Sequence, residues 1–371
     1  MKFNLSSSDL NQGLAAVFGA VPSKATLPIL ETVLFESEEG RLKLTATDLE
    51  ISIIEYIDAE IEEEGAVAIP AKRLLETLRQ LPDISVFFDV DASHNVKFKT
   101  DKGNYKLMGE EADEFPEIPN MHEGMTLTTE TELIQDAIGK TMFAVSTDDL
   151  RPAMMGVYFD IGEAESKFVA TDGHRLVRFV NRNLKSDQPV SFIVPVKALN
   201  LISKALDGAD CDLTVSDDHA QFKSGNTIII TRLINEQYPN YESVIPRDND
   251  KELSVDKNQM LSTVKRVSVF SSSTTRQIRL QLSADKLTIR AEDIDMSSEA
   301  KETIACDYSF DEMEIGFNAK YLADVLSNVD GDEAKFEFST PNRAGIVKPV
   351  EESEGEEMLM LVMPVMLNNY A

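Results

Sequence analysis

The sequence predicts an α+β chain of three similar domains in tandem, each an antiparallel sheet with two short helices on one face. Two sets of matching segments predict the triplication. Leu44-Thr45-Ala46-Thr47-Asp48-Leu49, Thr171-Asp172-Gly173-His174-Arg175-Leu176 and Ile289-Arg290-Ala291-Glu292-Asp293-Ile294 place an aspartate at intervals of 124 and 121 residues. Val67-Ala68-Ile69-Pro70-Ala71-Lys72, Phe192-Ile193-Val194-Pro195-Val196-Lys197 and Ile315-Gly316-Phe317-Asn318-Ala319-Lys320 recur at 125 and 123. Such a period is longer than the roughly 20–50 residues of a solenoid repeat and matches a whole domain. The third observation is the order strand, helix, three strands, read twice in the first unit, so that each domain is internally doubled.

In chain order, Phe3-Asn4-Leu5 opens as a strand. Ser6 to Asp9 offer N-caps for a helix over residues 8–19, where Leu10, Leu14, Val17 and Phe18 recur at helical spacing. Strands are expected at 29–35, 42–47 and 51–57. Pro70 then stands at the start of a helix over 71–80, followed by strands at 85–90, 95–100 and 105–108. The second domain repeats the plan with a strand at 126–128, a helix over 130–143, a loop holding Asp148 and Asp149, and a strand at 153–159. Thr171–Leu176 reads as a polar turn between two strands, and Gly173 suits it because glycine tolerates positive φ. Further helices are expected at 196–206, 256–270 and 319–328. Polar, turn-rich stretches at 117–124 and 246–251 read as linkers, which sets the domains at 1–121, 125–247 and 252–371.

The chain carries 36 Lys and Arg against 65 Asp and Glu, a net charge of −29. Alone, that argues against a nucleic-acid binder. The six expected helices invert the balance, with 10 basic residues against 7 acidic. If they share one surface, it is mildly basic within an acidic protein. No apolar h-region follows Met1, and no apolar run is long enough to cross a membrane, so a cytoplasmic protein is expected. Cys211 and Cys306 lie in different thirds without ligand spacing; they read as reduced thiols, and neither metal nor cofactor is expected.

Only the middle turn carries Gly-His-Arg. A hydrolase reading has Asp172 orient His174 as a general base, but no recognisable nucleophile or metal set accompanies it. The triplication, this turn and the C-terminal Leu361-Val362-Met363-Pro364-Val365-Met366-Leu367 together resemble the bacterial sliding clamps, the β subunits of DNA polymerase III holoenzyme. Thr26-Leu27-Pro28-Ile29-Leu30, Arg151-Pro152 and Tyr238-Pro239-Asn240-Tyr241 also match. The resemblance implies a non-catalytic homodimeric ring of six domains. Sheets form its rim, and helices line a hole that passes duplex DNA without sequence readout. Weak phosphate contacts from a few Lys and Arg would then permit sliding, while the acidic exterior limits nonspecific binding. The archaeal–eukaryotic clamps, with two domains per chain in a trimer, fit three repeats less well. Implied partners are DNA, the polymerase III α subunit, the clamp loader, other polymerases and repair proteins.

Carried onto this sequence, the resemblance matches Lys24 and Lys197 to DNA-contacting positions. With the helical bases Lys72, Arg79, Lys140, Lys204, Lys265 and Arg266 they make up the expected inner surface. Arg73, Tyr105 and Leu107 match the side of the dimer interface that meets Val269 and Phe270. A partner-peptide groove maps to Met154, Thr171, Gly173, His174, Arg175, Leu176, Pro239, Val244, Asn318, Tyr321, Val362, Met363, Pro364 and Leu367. Such a groove is apolar with a few polar directors, and flexible Met side chains suit several related peptides. Two departures bear on its rim: Met366 stands where the family commonly has Arg, and Ser243 where a basic residue is common. Residues 368–371 run past the usual end.

Overall fold

The computed structural model describes residues 1–121 and 124–367. His122 and Glu123 of the first expected linker, and the tail of residues 368–371, lie outside the described residues. Six α-helices are found among the described residues: α1 (Ser7–Val17), α2 (Ala71–Leu78), α3 (Thr131–Thr141), α4 (Val196–Ala205), α5 (Lys257–Ser268) and α6 (Ala319–Ser327). Each falls where its spacing predicts. Packing nevertheless divides the chain into two compact units, residues 1–135 with 197–233, and residues 136–196 with those from 234 onward.

Hydrogen bonding between strands explains why the units cut through the middle repeat. In the first unit, an eight-stranded sheet runs Met125–Glu130, Asp210–Val215, His219–Ser224, Thr227–Arg232, Ile51–Ile57, Arg41–Thr47, Thr32–Glu38, Ala66–Pro70. Its seam pairs Ile228 with Ile54 and Ile230 with Ser52, antiparallel, joining the first repeat to part of the second. In the second unit the corresponding sheet runs Val190–Pro195, Gly156–Ile161, Ser166–Thr171, Arg175–Asn181, Glu356–Val362, Gly345–Pro349, Glu333–Phe338, Lys251–Asp256. Its seam pairs Arg175 with Val362 and Phe179 with Met358.

Each unit holds one further, smaller sheet. In the first unit the order is Glu60–Glu63, Lys2–Ser6, Ser85–Val90, Asn95–Lys99, Asn104–Met108. An aromatic ladder crosses it: Phe3 on Phe88 at 4.7 Å, Phe88 on Phe98 at 5.2 Å, Phe98 on Tyr105 at 4.6 Å. In the second unit the order is Ser298–Ala305, Lys286–Asp293, Gln277–Ser283, Met313–Asn318. Ile278, Leu280 and Leu282 alternate inward along the third of these strands, as period-two burial requires. Burial pushes the Cys211 thiol up to about 12 and the Cys306 thiol up to about 11, so both stay protonated at neutral pH.

Some expectations shift. The strand expected at 153–159 starts only at Gly156, because Pro152–Met154 makes a 3-10 turn. The strand expected at 29–35 begins only at Thr32, because Pro28–Glu31 makes a 3-10 turn that the Thr32 hydroxyl closes onto the Ile29 carbonyl at 2.6 Å. The helix expected at 8–19 starts at Ser7, capped by Ser6 accepting from Ser8 N and Asp9 N, and tightens to 3-10 over Phe18–Ala20. The acidic strand Glu60–Glu63 carries no apolar alternation, so periodicity does not predict it.

The repeated aspartates do the same local work. In the first unit, Asp48 Oδ1 accepts from Glu50 N and Ile51 N at 3.0 and 2.7 Å, and Thr47 Oγ1 donates to Ile51 O. In the second, Asp172 Oδ1 accepts from His174 N and Arg175 N, both at 2.9 Å, and Thr171 Oγ1 donates to Arg175 O. The third turn is looser, with Asp293 Oδ1 accepting from Met296 N at 3.2 Å. The first two turns need a left-handed residue, supplied by Leu49 at φ 79° and Gly173 at φ 86°. A Cβ on Gly173 would lie 2.7 Å from Arg151 Nη1. Opposite substitutions should therefore shift stability in opposite directions. Gly173→Ala is expected to cost about 1 kcal/mol, while Leu49→Gly relieves left-handed strain and stabilises by up to about 1 kcal/mol. Urea unfolding of both variants measures this; shifts of the same sign would contradict the shared geometry.

Candidate functional site

The middle-repeat turn and the C-terminal stretch meet through the backbone. The strand Glu356–Val362 runs beside Arg175–Asn181, and Met363 N extends the ladder by donating to His174 O at 2.8 Å. At this end of the seam opens a cleft of about 640 Å³. Its floor is apolar: Leu176, Tyr241, Ala344 and Leu361 are buried around it, with Val169 beneath. Tyr158 and Tyr238, stacked at 4.8 Å, support that floor from below. Burial pushes the Tyr241 hydroxyl up to about 12 and the Tyr238 hydroxyl higher still, so neither ionises at neutral pH. Val244 and Met363 stand over the floor with 54% and 41% of their surface exposed, as apolar side chains awaiting cover would.

One guanidinium organises the polar side. Arg175 is 7% exposed, and every arm of it is used. Its Nε donates to Asp172 Oδ2 at 3.2 Å, Nη1 to Asp324 Oδ2 at 2.5 Å, and Nη2 to Phe143 O at 2.7 Å. It also lies over the Tyr321 ring at 5.0 Å. His174 stacks on the same ring at 5.5 Å. These contacts overturn the hydrolase reading. The Asp172 carboxylate is spent on the turn backbone and on Arg175, so it does not hold the imidazole as a general base would require. Among the described residues no cluster of three or more His, Cys, Asp or Glu is arranged to hold a metal.

Of the expected groove residues, Met154, Thr171, Gly173, Arg175, Leu176, Pro239, Val244 and Met363 line the cleft. Val362 does not: it is 1% exposed, paired with Arg175 on one side and Gly345 on the other, because alternation turns it into the core. Asn318 accepts from Lys320 N as the N-cap of α6, and Tyr321 follows in that helix. Past Pro364, Val365 N donates to Gly316 O, and Leu367 covers Gly316 closely enough that a Cβ there would fall 2.6 Å from Leu367 Cδ2. The cleft also extends to residues that sequence reasoning did not place in it: Asn240, Tyr241, residues 245–248 and residues 342–344. The last group sits on a hairpin whose position depends on strand order, which no local motif reports.

The basic residues divide by their partners. Lys24, Lys72, Arg79, Lys204 and Lys265 are exposed, and among the described residues none forms an ion pair. Lys197 is bonded to Asp48, and Arg266 to Glu302 at 2.6 Å. Lys140 is the exception to the expected surface. It is held by Asp136 and Glu356, each at 2.9 Å, and Asp330 at 3.4 Å, over the Phe179 ring. Burial works to lower its pKa, but these carboxylates outweigh it and hold the ammonium above the usual lysine range. Among the expected interface residues, Arg73, Val269 and Phe270 are exposed, Tyr105 is half-buried on an edge strand, and Leu107 turns into its own sheet at 9% exposure.

Comparison with known proteins adds to this geometry. Sequence models of the DNA polymerase III beta subunit match along the chain: the N-terminal domain at residues 1–119, the central domain at 128–240 and the C-terminal domain at 242–365. A beta sliding clamp of Caulobacter vibrioides is 31% identical over 362 residues, covering 95% of this chain and 97% of that protein. The beta sliding clamp of Bacillus subtilis is 28% identical, covering 98% and 99%. A Pseudomonas aeruginosa sliding clamp bound to griselimycin superposes with a TM-score of 0.93 at 28% identity, covering 99% of this chain and 100% of that one. The Bacillus subtilis clamp structure gives 0.93 at 26% identity, covering 99% of each chain. With this fold, these matches and a turn built for packing rather than proton transfer, the chain belongs to the bacterial DNA polymerase III β-subunit family, the non-catalytic β sliding clamps.

Proposed function

We propose that two copies of this chain close head to tail into a ring around duplex DNA and tether replication and repair proteins through the cleft. One observation supports the ring: two edge strands that have no outer partner among the described residues. Asn104–Met108 ends the five-stranded sheet and Ser298–Ala305 ends the four-stranded one. The first edge carries Lys106, with Lys97 and Lys99 on the strand beside it. The second carries Glu299 and Glu302 against Lys301. Exposed strand edges invite pairing, and a head-to-tail contact closes only at a fixed number of subunits. Joined across two copies, these edges would make a third long sheet like the two already present. Val269, 79% exposed, and Phe270, 41% exposed, would supply the apolar part of the contact, with Arg73 and Tyr105 opposite.

In this reading the domains are 1–121, 125–247 and 252–371, the helices face the DNA, and the ring works in the cytoplasm. Lys24, Lys72, Arg79, Lys197, Lys204, Lys265 and Arg266 make weak, sequence-independent phosphate contacts; Lys140 contributes least, since its charge is already balanced. The cleft takes short Gln and Leu/Phe motifs from the polymerase III α subunit, the clamp loader, other polymerases and repair factors. Asn318, Tyr321, Pro364 and Leu367 flank the cleft on the α6 side.

Three outcomes are expected. Sedimentation should find a dimer at micromolar concentration, and Phe270→Arg should yield monomers by placing an unpaired charge in the contact; a native monomer or trimer would refute the ring. On nicked circular DNA the loaded protein should survive high salt and fall off once the circle is cut. Binding to short linear duplex should be weak and salt-sensitive; identical salt sensitivity on both would defeat topological holding. Met363→Ala should weaken a labelled Gln-Leu-x-Leu-Phe peptide more than about tenfold in fluorescence anisotropy, with the dimer intact. Unchanged affinity would put the peptide elsewhere.

A further inference from the structure

We infer that Met108 and Met296 form an oxidation site whose two sulfurs set how tightly copies of this chain hold one another. The inference rests on the ring proposed above, in which the edge Asn104–Met108 of one copy pairs with Ser298–Ala305 of the next. The chain has 14 methionines, and only four of them are exposed. Met363 and Met366 stand just past the strand that closes the second seam. Met108, 64% exposed, ends one edge strand without an outer partner among the described residues, and Met296, 75% exposed, stands two residues before the other. The exposed thioethers are thus gathered at one seam already made and at the two edges that would make another.

The internal repeat supplies the register. The first seam ends where Arg232 N donates to Glu50 O, and the second where Met363 N donates to His174 O. Met108 is the counterpart of Arg232: it lies opposite Asn95 as Arg232 lies opposite His219, and both members of the pair recur at the 124-residue interval. Met296 is the counterpart of Glu50 and His174, each standing two residues before the one that closes its hairpin, Ser298, Ser52 and Leu176. The same count sets Met108 of one copy against Met296 of the second copy, thioether on thioether, where the first seam has the Glu50–Arg232 ion pair. Seam ends stay open to solvent after pairing, since Glu50, Arg232, His174 and Met363 are all exposed. Both sulfurs therefore remain within reach of a small oxidant such as hydrogen peroxide. The O–O bond of the peroxide breaks and one oxygen atom passes to sulfur; the thioether is oxidised by two electrons to the sulfoxide, and the peroxide is reduced to water. A sulfoxide is polar where the thioether was apolar, which weakens a contact built on methionine. A ring of two copies has two such seams, so the loss counts twice.

Sedimentation of the full chain before and after mild hydrogen peroxide treatment, with the sulfoxides located by mass spectrometry, tests this. Met108 and Met296 should oxidise ahead of the buried methionines. The dimer dissociation constant should then rise about tenfold, and it should return after reduction by methionine sulfoxide reductases. The double variant Met108→Leu with Met296→Leu should dimerise like the unmodified chain and keep its affinity through the same treatment, although Met363 and Met366 still oxidise. Met108→Gln, polar and of similar length, should weaken the dimer with no oxidant present. Unchanged affinity with both sulfoxides formed, or an equal loss in the double leucine variant, overturns the proposal. A chain that is monomeric before any oxidant is added overturns the ring itself, and this site with it.

Discussion

Backbone pairing between repeats is the constraint on which the rest of this structure depends. No repeat satisfies its own strands. Ile51–Ile57 is paired on one side only by Thr227–Arg232, and Arg175–Asn181 only by Glu356–Val362. A buried strand with a bare edge leaves a row of unmet donors and acceptors, so the seams are obligatory. The cleft is a by-product of the second seam. It opens where the ladder stops, at the bond from Met363 N to His174 O. The first seam stops in the same way, with Arg232 N donating to Glu50 O at 2.8 Å. There the side chains at the two matching positions are Glu50 and Arg232, 3.6 Å apart as an ion pair, instead of an imidazole and a thioether. One scaffold thus presents a polar stopper at one seam and an apolar opening at the other; function lies in the grafted side chains and not in the fold.

Electrostatics follows the same economy. In a chain with 65 acidic and 36 basic residues, half of the cations are drawn into ion pairs and half are left without one among the described residues. Lys140 shows the other fate. It stands on a helix where a count of charges makes it a candidate contact, yet two turns of chemistry distant in sequence, Asp330 and Glu356, come in to claim it. Exposed pairs such as Arg266 with Glu302 are weak and exchangeable, so they remain available to phosphate in a way that Lys140 is not.

The sequence made the six helices and most strands legible, because apolar periodicity and a cap such as Ser6 are local signals. The Thr-Asp turn was legible as a turn, since an aspartate accepting from amides two and three residues on needs no distant partner. Its contact with the C-terminal stretch followed from the uniqueness of both features. Three things were not legible. Val362 was expected in the cleft, but strand alternation sends it inward, and one residue of register decides the matter. Arg247 and Arg343 reach one cleft from 96 positions apart through strand order alone. The division of the middle repeat between two packed units is a property of pairing, and repeats in a sequence do not announce it.

That division has a consequence for synthesis. Ile51–Ile57 leaves the ribosome about 170 residues before the first residue of its partner, Thr227. At bacterial-scale rates of roughly 5–20 residues per second, this apolar strand waits on the order of 10–30 s with one edge bare. Arg175–Asn181 waits in the same way for Glu356–Val362, which begins 356 − 181 = 175 residues later. The middle repeat therefore cannot mature first and serve as a template. The first seam can close once Arg232 has emerged and the second only after Val362, each by non-local pairing of the kind that is slow and exposed to aggregation. For this architecture, protection of two nascent strand edges is part of making the protein at all.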